Sequence, residues 1–113
     1  MAAEPEFVID RVAIKRLEKN AARACNLLSA MANPSRLMIL CQLAESEKSV
    51  GELQPLIGLS QSALSQHLAL LREKQLVRTR REGQQIFYSI ASREAGALMH
   101  TLHEEFCVPG RRP

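Results

Sequence analysis

Tryptophan is absent from this 113-residue chain, which holds only one tyrosine and three phenylalanines. A core short of large rings must be built from aliphatic side chains, and that favours helix packing over a β-sandwich. No long hydrophobic run occurs either: the longest nearly apolar stretch, Leu27 to Ala32, falls far short of the roughly 20 residues of a membrane helix. The first ten residues include Glu4, Glu6 and Asp10 and lack an apolar segment of signal-peptide length, so a cytoplasmic protein with no membrane partner is expected. Cysteine is scarce and odd in number, at Cys25, Cys41 and Cys107, which argues against a structural disulfide framework. Glycine-rich phosphate loops, a nucleophile elbow and histidines paired with acids are all missing, so neither an enzyme nor a cofactor is expected.

What is present is enough apolar material, 46% of residues, for one real core, and a mild positive balance of +3. The length suits a single domain. Residues 11–108 read as that domain, with residues 1–10 and 109–113 as flexible ends. A basic excess permits a polyanionic partner without proving one; its clustering matters more.

The periodicity predicts four helices, a hairpin and a last helix. Ile14, Leu17, Ala21, Ala24, Leu28 and Met31 recur at alternating steps of three and four, a heptad seam of the kind one long helix presents to another. Asn33 followed by Pro34 starts a second helix, with Leu37, Leu40, Cys41 and Ala44 as its expected apolar face. Ser49 with Glu52 forms a capping box for a short helix through Ile57, and Gly58 stops it. Ser60 caps the next helix, to about Lys74. The period then changes to two: Leu76–Arg81 and Gln85–Ile90 read as strands about a Glu82-Gly83 turn. Ser92 caps the last helix, which ends before Pro109. The expected fold is mainly α with one β-hairpin, in the order α-α-α-α-β-β-α.

A short helix, a glycine turn and a longer helix are the parts of a helix-turn-helix, and the hairpin after them is a wing. On the longer helix Leu64, Leu68 and Leu71 face inward, which leaves Ser62, Ser65, Gln66 and Ala69 outside. Solvated helix faces usually carry Lys and Glu. A face of short hydroxyls and an amide instead suits a major groove, where glutamine pairs bidentately with adenine. The wing offers Arg78, Arg80 and Arg81, with Gln84 and Gln85 past the turn, for phosphate and minor-groove contact. A charged, aggregation-proof edge strand explains the arginines equally well taken alone; the preceding helix-turn-helix favours the wing. His67 leans to the apolar side, where a structural hydrogen bond is expected of it. The partner is therefore duplex DNA.

Met31-Ala32-Asn33-Pro34-Ser35-Arg36-Leu37, Ser62-Ala63-Leu64-Ser65-Gln66-His67-Leu68 and Gln85-Ile86-Phe87-Tyr88 together resemble the ArsR/SmtB family of winged-helix repressors, over roughly residues 27–107. The resemblance implies a winged helix-turn-helix homodimer joined by the first and last helices. It implies an inverted-repeat operator that the dimer leaves when an inducer arrives. The family's Cys-x-Cys metal site is replaced here by Ser49-Val50-Gly51, and its Asp-x-His site by Ser92-Arg93-Glu94-Ala95, so no metal site is expected at either. What matches is the dithiol branch responsive to persulfides, with one cysteine in the second helix and one ending the last, here Cys41 and Cys107. That implies sensing thiols bridged by reactive sulfur species. Core filling is the ordinary role for Cys41. Cys107 falls off the stripe of Ala95, Met99, Leu102 and Phe106 and aligns with His100 and His103. Metal sensing through His100, His103 and Cys107 is the competing reading; Cys25 has no assigned role.

Overall fold

The fold, described for residues 8–110 by a computed structural model, is the expected winged helix-turn-helix with one strand added. The terminal expectations fall mostly on residues 1–7 and 111–113, outside the described residues.

Helix α1 (Arg11–Met31) begins where Asp10 Oδ1 accepts the Ala13 N–H at 2.8 Å. Only its last turn, Ala30 and Met31, is buried. Ile14, Leu17 and Leu28 of the heptad seam remain 48%, 54% and 51% exposed, so the described residues cover them only in part. Asn33 caps α2 (Pro34–Glu45), accepting the Arg36 N–H. The Arg36 guanidinium then turns back to donate to the Ala30 carbonyl at 2.6 Å, which satisfies an end carbonyl of α1 and fixes the joint.

The apolar face of α2 differs from expectation. Ile39, Leu40 and Leu43 are buried and Leu37 is half-buried, whereas Cys41 and Ala44 are exposed. The reason is that α2 is wedged among α3, α4, α5 and β3, so its buried side is broad and is turned away from Cys41.

The unforeseen strand is β1 (Lys48–Ser49), two residues long and therefore too short to show alternation in sequence. It pairs antiparallel with β3 (Gln85–Ile90), which pairs on its other side with β2 (Val77–Glu82), giving the order β1-β3-β2. Glu82 opposes Gln85, so the wing turn is Gly83-Gln84 rather than Glu82-Gly83. Gly83 sits there at φ +64°, a left-handed conformation open to glycine at little cost.

Helix α3 (Val50–Ile57) carries both halves of the capping box, and Gly58 ends it at φ +79°. Ser60 caps α4 (Gln61–Glu73), and Ser92 caps α5 (Arg93–Phe106). The core is one cluster: Met31, Ile39, Leu40, Leu43, Leu53, Leu64, Leu68, Leu71, Leu76, Val77, Ala95 and Met99, with Ala30. Each fully buried leucine contributes about 1.5 to 3 kcal/mol, and those of α4 fix the helix by its inner side. Phe106, expected on the core stripe of α5, is 61% exposed because it lies at the helix end beyond the reach of that cluster.

Candidate nucleic-acid interface and thiol groove

Anchoring of α4 through Leu64, Leu68 and Leu71 decides what its opposite face presents. Ser62, Ser65, Gln66 and Ala69 are all exposed there. Among the described residues none of the three polar side chains hydrogen-bonds another, so their donors and acceptors are available to a base edge. His67 is half-buried, but the structural hydrogen bond expected of it does not form among the described residues.

In the wing, pairing register splits the arginines between faces. Val77, Thr79 and Arg81 alternate with Arg78, Arg80 and Glu82 along β2. Arg81 points to the face whose inner end is core and, near the tip, donates from Nε to the Gly83 carbonyl at 3.3 Å. Gln84 is exposed in the turn itself. Arg80 lies on the outer face and is heavily engaged. Its Nε and Nη2 fork onto Glu47, with Nη2 to Oε1 at 2.7 Å; Nη1 reaches Glu82 Oε2 at 2.6 Å. The guanidinium carbon also stands 4.8 Å from the centre of the Phe87 ring. The Arg80 hydrogen bond pulls the Glu47 carboxyl below the usual glutamate range, and the two carboxylates push the Arg80 guanidinium higher still.

Glu47 and Lys48 were not singled out by the sequence. Lys48 is a buried charge, 6% exposed, whose Nζ donates to the Gln42 carbonyl, Glu45 Oε1 and Ser46 Oγ at 2.8–2.9 Å. It closes the C-terminal end of α2, where a cation is favoured. Ser49 next to it pairs with Phe87 in β3 and caps α3. No sequence pattern marks such a residue; a lysine that directly follows Glu45-Ser46-Glu47 reads as solvated surface.

On the other side of α2 lies an apolar groove of about 1110 Å³ between α2 and α5. Cys41 and Cys107 both line it, together with His100 and His103. All three cysteines are exposed free thiols, and Cys25 on α1 is outside the groove. Met38, Leu102, Met99 and Phe106 supply its apolar walls. Among the described residues no group of three His, Cys, Asp or Glu is placed to hold a metal ion, so His100, His103 and Cys107 share a groove without forming a ligand cluster. No helix among the described residues is long and apolar enough to cross a membrane.

Residues 33–79 match the model for "Bacterial regulatory protein, arsR family". The transcriptional activator HlyU of Vibrio cholerae serotype O1 is 53% identical over 94 residues, which cover 83% of this chain and 87% of that protein. The biofilm growth-associated repressor of Agrobacterium fabrum is 44% identical over 106 residues, 94% of this chain and 91% of its own. Among solved structures, reduced HlyU from Vibrio cholerae N16961 superposes with a TM-score of 0.79 at 53% identity, covering 83% of this chain and 99% of that one.

Proposed function

The chain belongs to the ArsR family of bacterial regulatory proteins and is a DNA-binding transcription regulator, not an enzyme, and we propose that it is a repressor released from its operator when reactive sulfur bridges Cys41 to Cys107. The reading unit is α4, with Ser62, Ser65 and Gln66 set against base edges in the major groove. Arg80, Arg81 and Gln84 of the wing lie along the flanking backbone and minor groove. The active form is a homodimer through α1 and α5 on an inverted repeat, which gives the half-exposed seam Ile14, Leu17 and Leu28 a partner. Its inducer is a persulfide; it needs no metal, no other cofactor and no membrane, and it acts in the cytoplasm.

One observation carries the sulfur reading: two cysteines far apart in sequence line the same groove. The chemistry balances with thiols and a persulfide alone. A Cys thiolate attacks the outer sulfur of a persulfide R–S–SH, forming Cys–S–SH and releasing R–S⁻. The second thiolate attacks the inner sulfur and expels HS⁻, leaving a Cys41–Cys107 disulfide. If both thiols are persulfidated first, they condense to a trisulfide with loss of H₂S. Either bridge ties α2 to α5. Helix α2 packs on α3 and α4, so a shift there moves the reading helix relative to its partner's, and the two must meet major grooves about 34 Å apart. Coupling of ~1–3 kcal/mol suffices for a fivefold to hundredfold loss of affinity.

Relatives of this chain carry both signs of output in their names, repressor in one and activator in another. DNA binding accounts for both, since a protein bound at its own operator represses and one bound over another repressor's site activates, and release ends either effect. The test is gel shift of the reduced protein on duplexes that it selects from a random library, before and after a persulfide donor, with peptide mapping of the released protein. Release accompanied by a Cys41–Cys107 peptide within one chain is expected. Release of Cys107→Ser as readily as the parent defeats the dithiol mechanism.

A further inference from the structure

Arg80 is the wing arginine with the fewest donors left for DNA, and the residue that holds it comes from outside the wing. Both Nε and Nη2 fork onto Glu47, while Nη1 goes to Glu82. With one guanidinium between two carboxylates, the Arg80 charge is fully countered at the place where a phosphate contact is wanted, and only the more distant Arg78 charge offsets the second carboxylate. Glu47 is also not free to follow Arg80 towards a ligand. Its neighbour Lys48 is pinned to the end of α2 through three acceptors, and Lys48 and Ser49 are paired into β3 opposite Tyr88 and Phe87. Phe87 lies under the guanidinium and keeps the arginine's stem in place. A phosphate can therefore recruit Arg80 only by displacing a fixed, bidentate carboxylate, among the better acceptors a protein offers.

We infer that Glu47 is a specificity-determining residue: it withholds Arg80 from casual phosphate contact and yields it only to the wing docked at the operator. On random DNA the wing is loosely placed and no phosphate is held where Glu47 can be outcompeted, so Arg80 stays clasped. On the operator, α4 seats the wing at a fixed height and a phosphate stands in reach, so Arg80 exchanges one anion for another. Arg81 and Arg78 form no ion pair or hydrogen bond with a carboxylate among the described residues, although the Arg78 charge is felt by Glu47, and they supply non-specific attraction throughout. This inference rests on the reading of the hairpin as a DNA-contacting wing, and on that only; it is independent of the thiols.

The measurement is the dependence of binding on salt concentration. Each phosphate neutralised adds about 0.9 to the slope of log K against log salt on duplex DNA. The reduced dimer is titrated onto a selected operator and onto a scrambled duplex of equal length. For Glu47→Gln the scrambled duplex should bind about fivefold to tenfold more tightly per wing near 0.1 M salt, with a slope steeper by about 1.8 for the dimer, as one new contact in each of its two wings requires. On the operator the slope should stay as in the parent, because Arg80 is engaged there already. Arg80→Ala should flatten the operator slope by about the same amount and leave the scrambled slope alone. In the Arg80→Ala background, Glu47→Gln should change neither slope. An unchanged scrambled slope in Glu47→Gln overturns the inference, as does the same change in the Arg80→Ala background, which makes Glu47 a bare repulsive charge. If Arg80→Ala leaves the operator slope intact, Arg80 is a strut and its assignment as a wing contact falls as well.

Discussion

Side chains that decide behaviour in this molecule do so by being engaged or idle. Ser62, Ser65 and Gln66 are idle, and for that reason fit for reading. Ser65→Ala and Gln66→Ala should each lower operator affinity by ~1–3 kcal/mol, with a smaller loss on scrambled DNA and unchanged melting. Equal losses on both duplexes, measured by anisotropy titration, would count against α4 as the reading helix. Lys48 is the opposite case. Its ammonium is buried on three acceptors at the end of the thiol-bearing helix. Lys48→Met keeps the stem but leaves the Gln42 carbonyl with only the longer, 3.4 Å bond from the Ser46 N–H, and should lower stability to urea by about 1 kcal/mol with an unchanged m value. The carboxylates facing Lys48 and Arg80 are held low: Glu45 by its hydrogen bond to Lys48, Glu47 by its hydrogen bond to Arg80. A depressed acid stabilises above its unfolded pKa and loses that support as pH falls through the folded value. Both links should therefore stay closed at neutral pH and open only below the ordinary glutamate range, seen as carboxyl carbon shifts in an NMR titration.

Elements were legible in proportion to how strongly local chemistry marks their ends. Caps at Asn33, Ser49, Ser60 and Ser92 and the stop at Gly58 are sequence events, and the helices start and stop at them. The two-residue β1 escaped because it exists only through pairing with β3, a long-range fact with no local period. The wing turn slipped by one residue because both Glu82-Gly83 and Gly83-Gln84 contain the needed glycine; register settles it. The face of α2 was misjudged for a similar reason. With neighbours on several sides, apolar residues occur nearly all round it, and helical spacing alone places Cys41 with the core although it lines a groove. On α1 the seam was legible and its partner was not. Ile14 and Leu17 are half-exposed apolar side chains on a helix whose first five turns touch little of the chain. Leu17→Asp should weaken dimerisation at least tenfold in sedimentation equilibrium, because each subunit's charge must enter the seam. A dimer of parental strength would remove α1 from the interface.

At the scale of the whole molecule, α2 lines the thiol groove proposed for sensing and also packs on α4, the helix proposed for reading. This was half visible in the sequence: the two cysteines and the reading helix could each be located, but their relation depends on how α5 returns across α2. The same geometry gives a thermodynamic signature that separates regulation from damage. A bridge between Cys41 and Cys107 closes the chain from α2 to α5, enclosing the helix-turn-helix and the wing. Closing a loop of that length removes much of the unfolded state's freedom, stabilising the fold by up to about 4 kcal/mol if the native groove accepts the bridge without strain. Donor-treated protein should therefore melt higher than reduced protein while binding its operator more weakly, and dithiothreitol should reverse both. Cys41→Ser and Cys107→Ser should show neither change. Oxidative damage gives the other combination, weaker binding with a lower melting point, since adding polar oxygen to a thiol beside Met99 and Leu102 injures their packing. A donor-treated parent that loses DNA and also melts lower would mean that the groove is being broken rather than bridged.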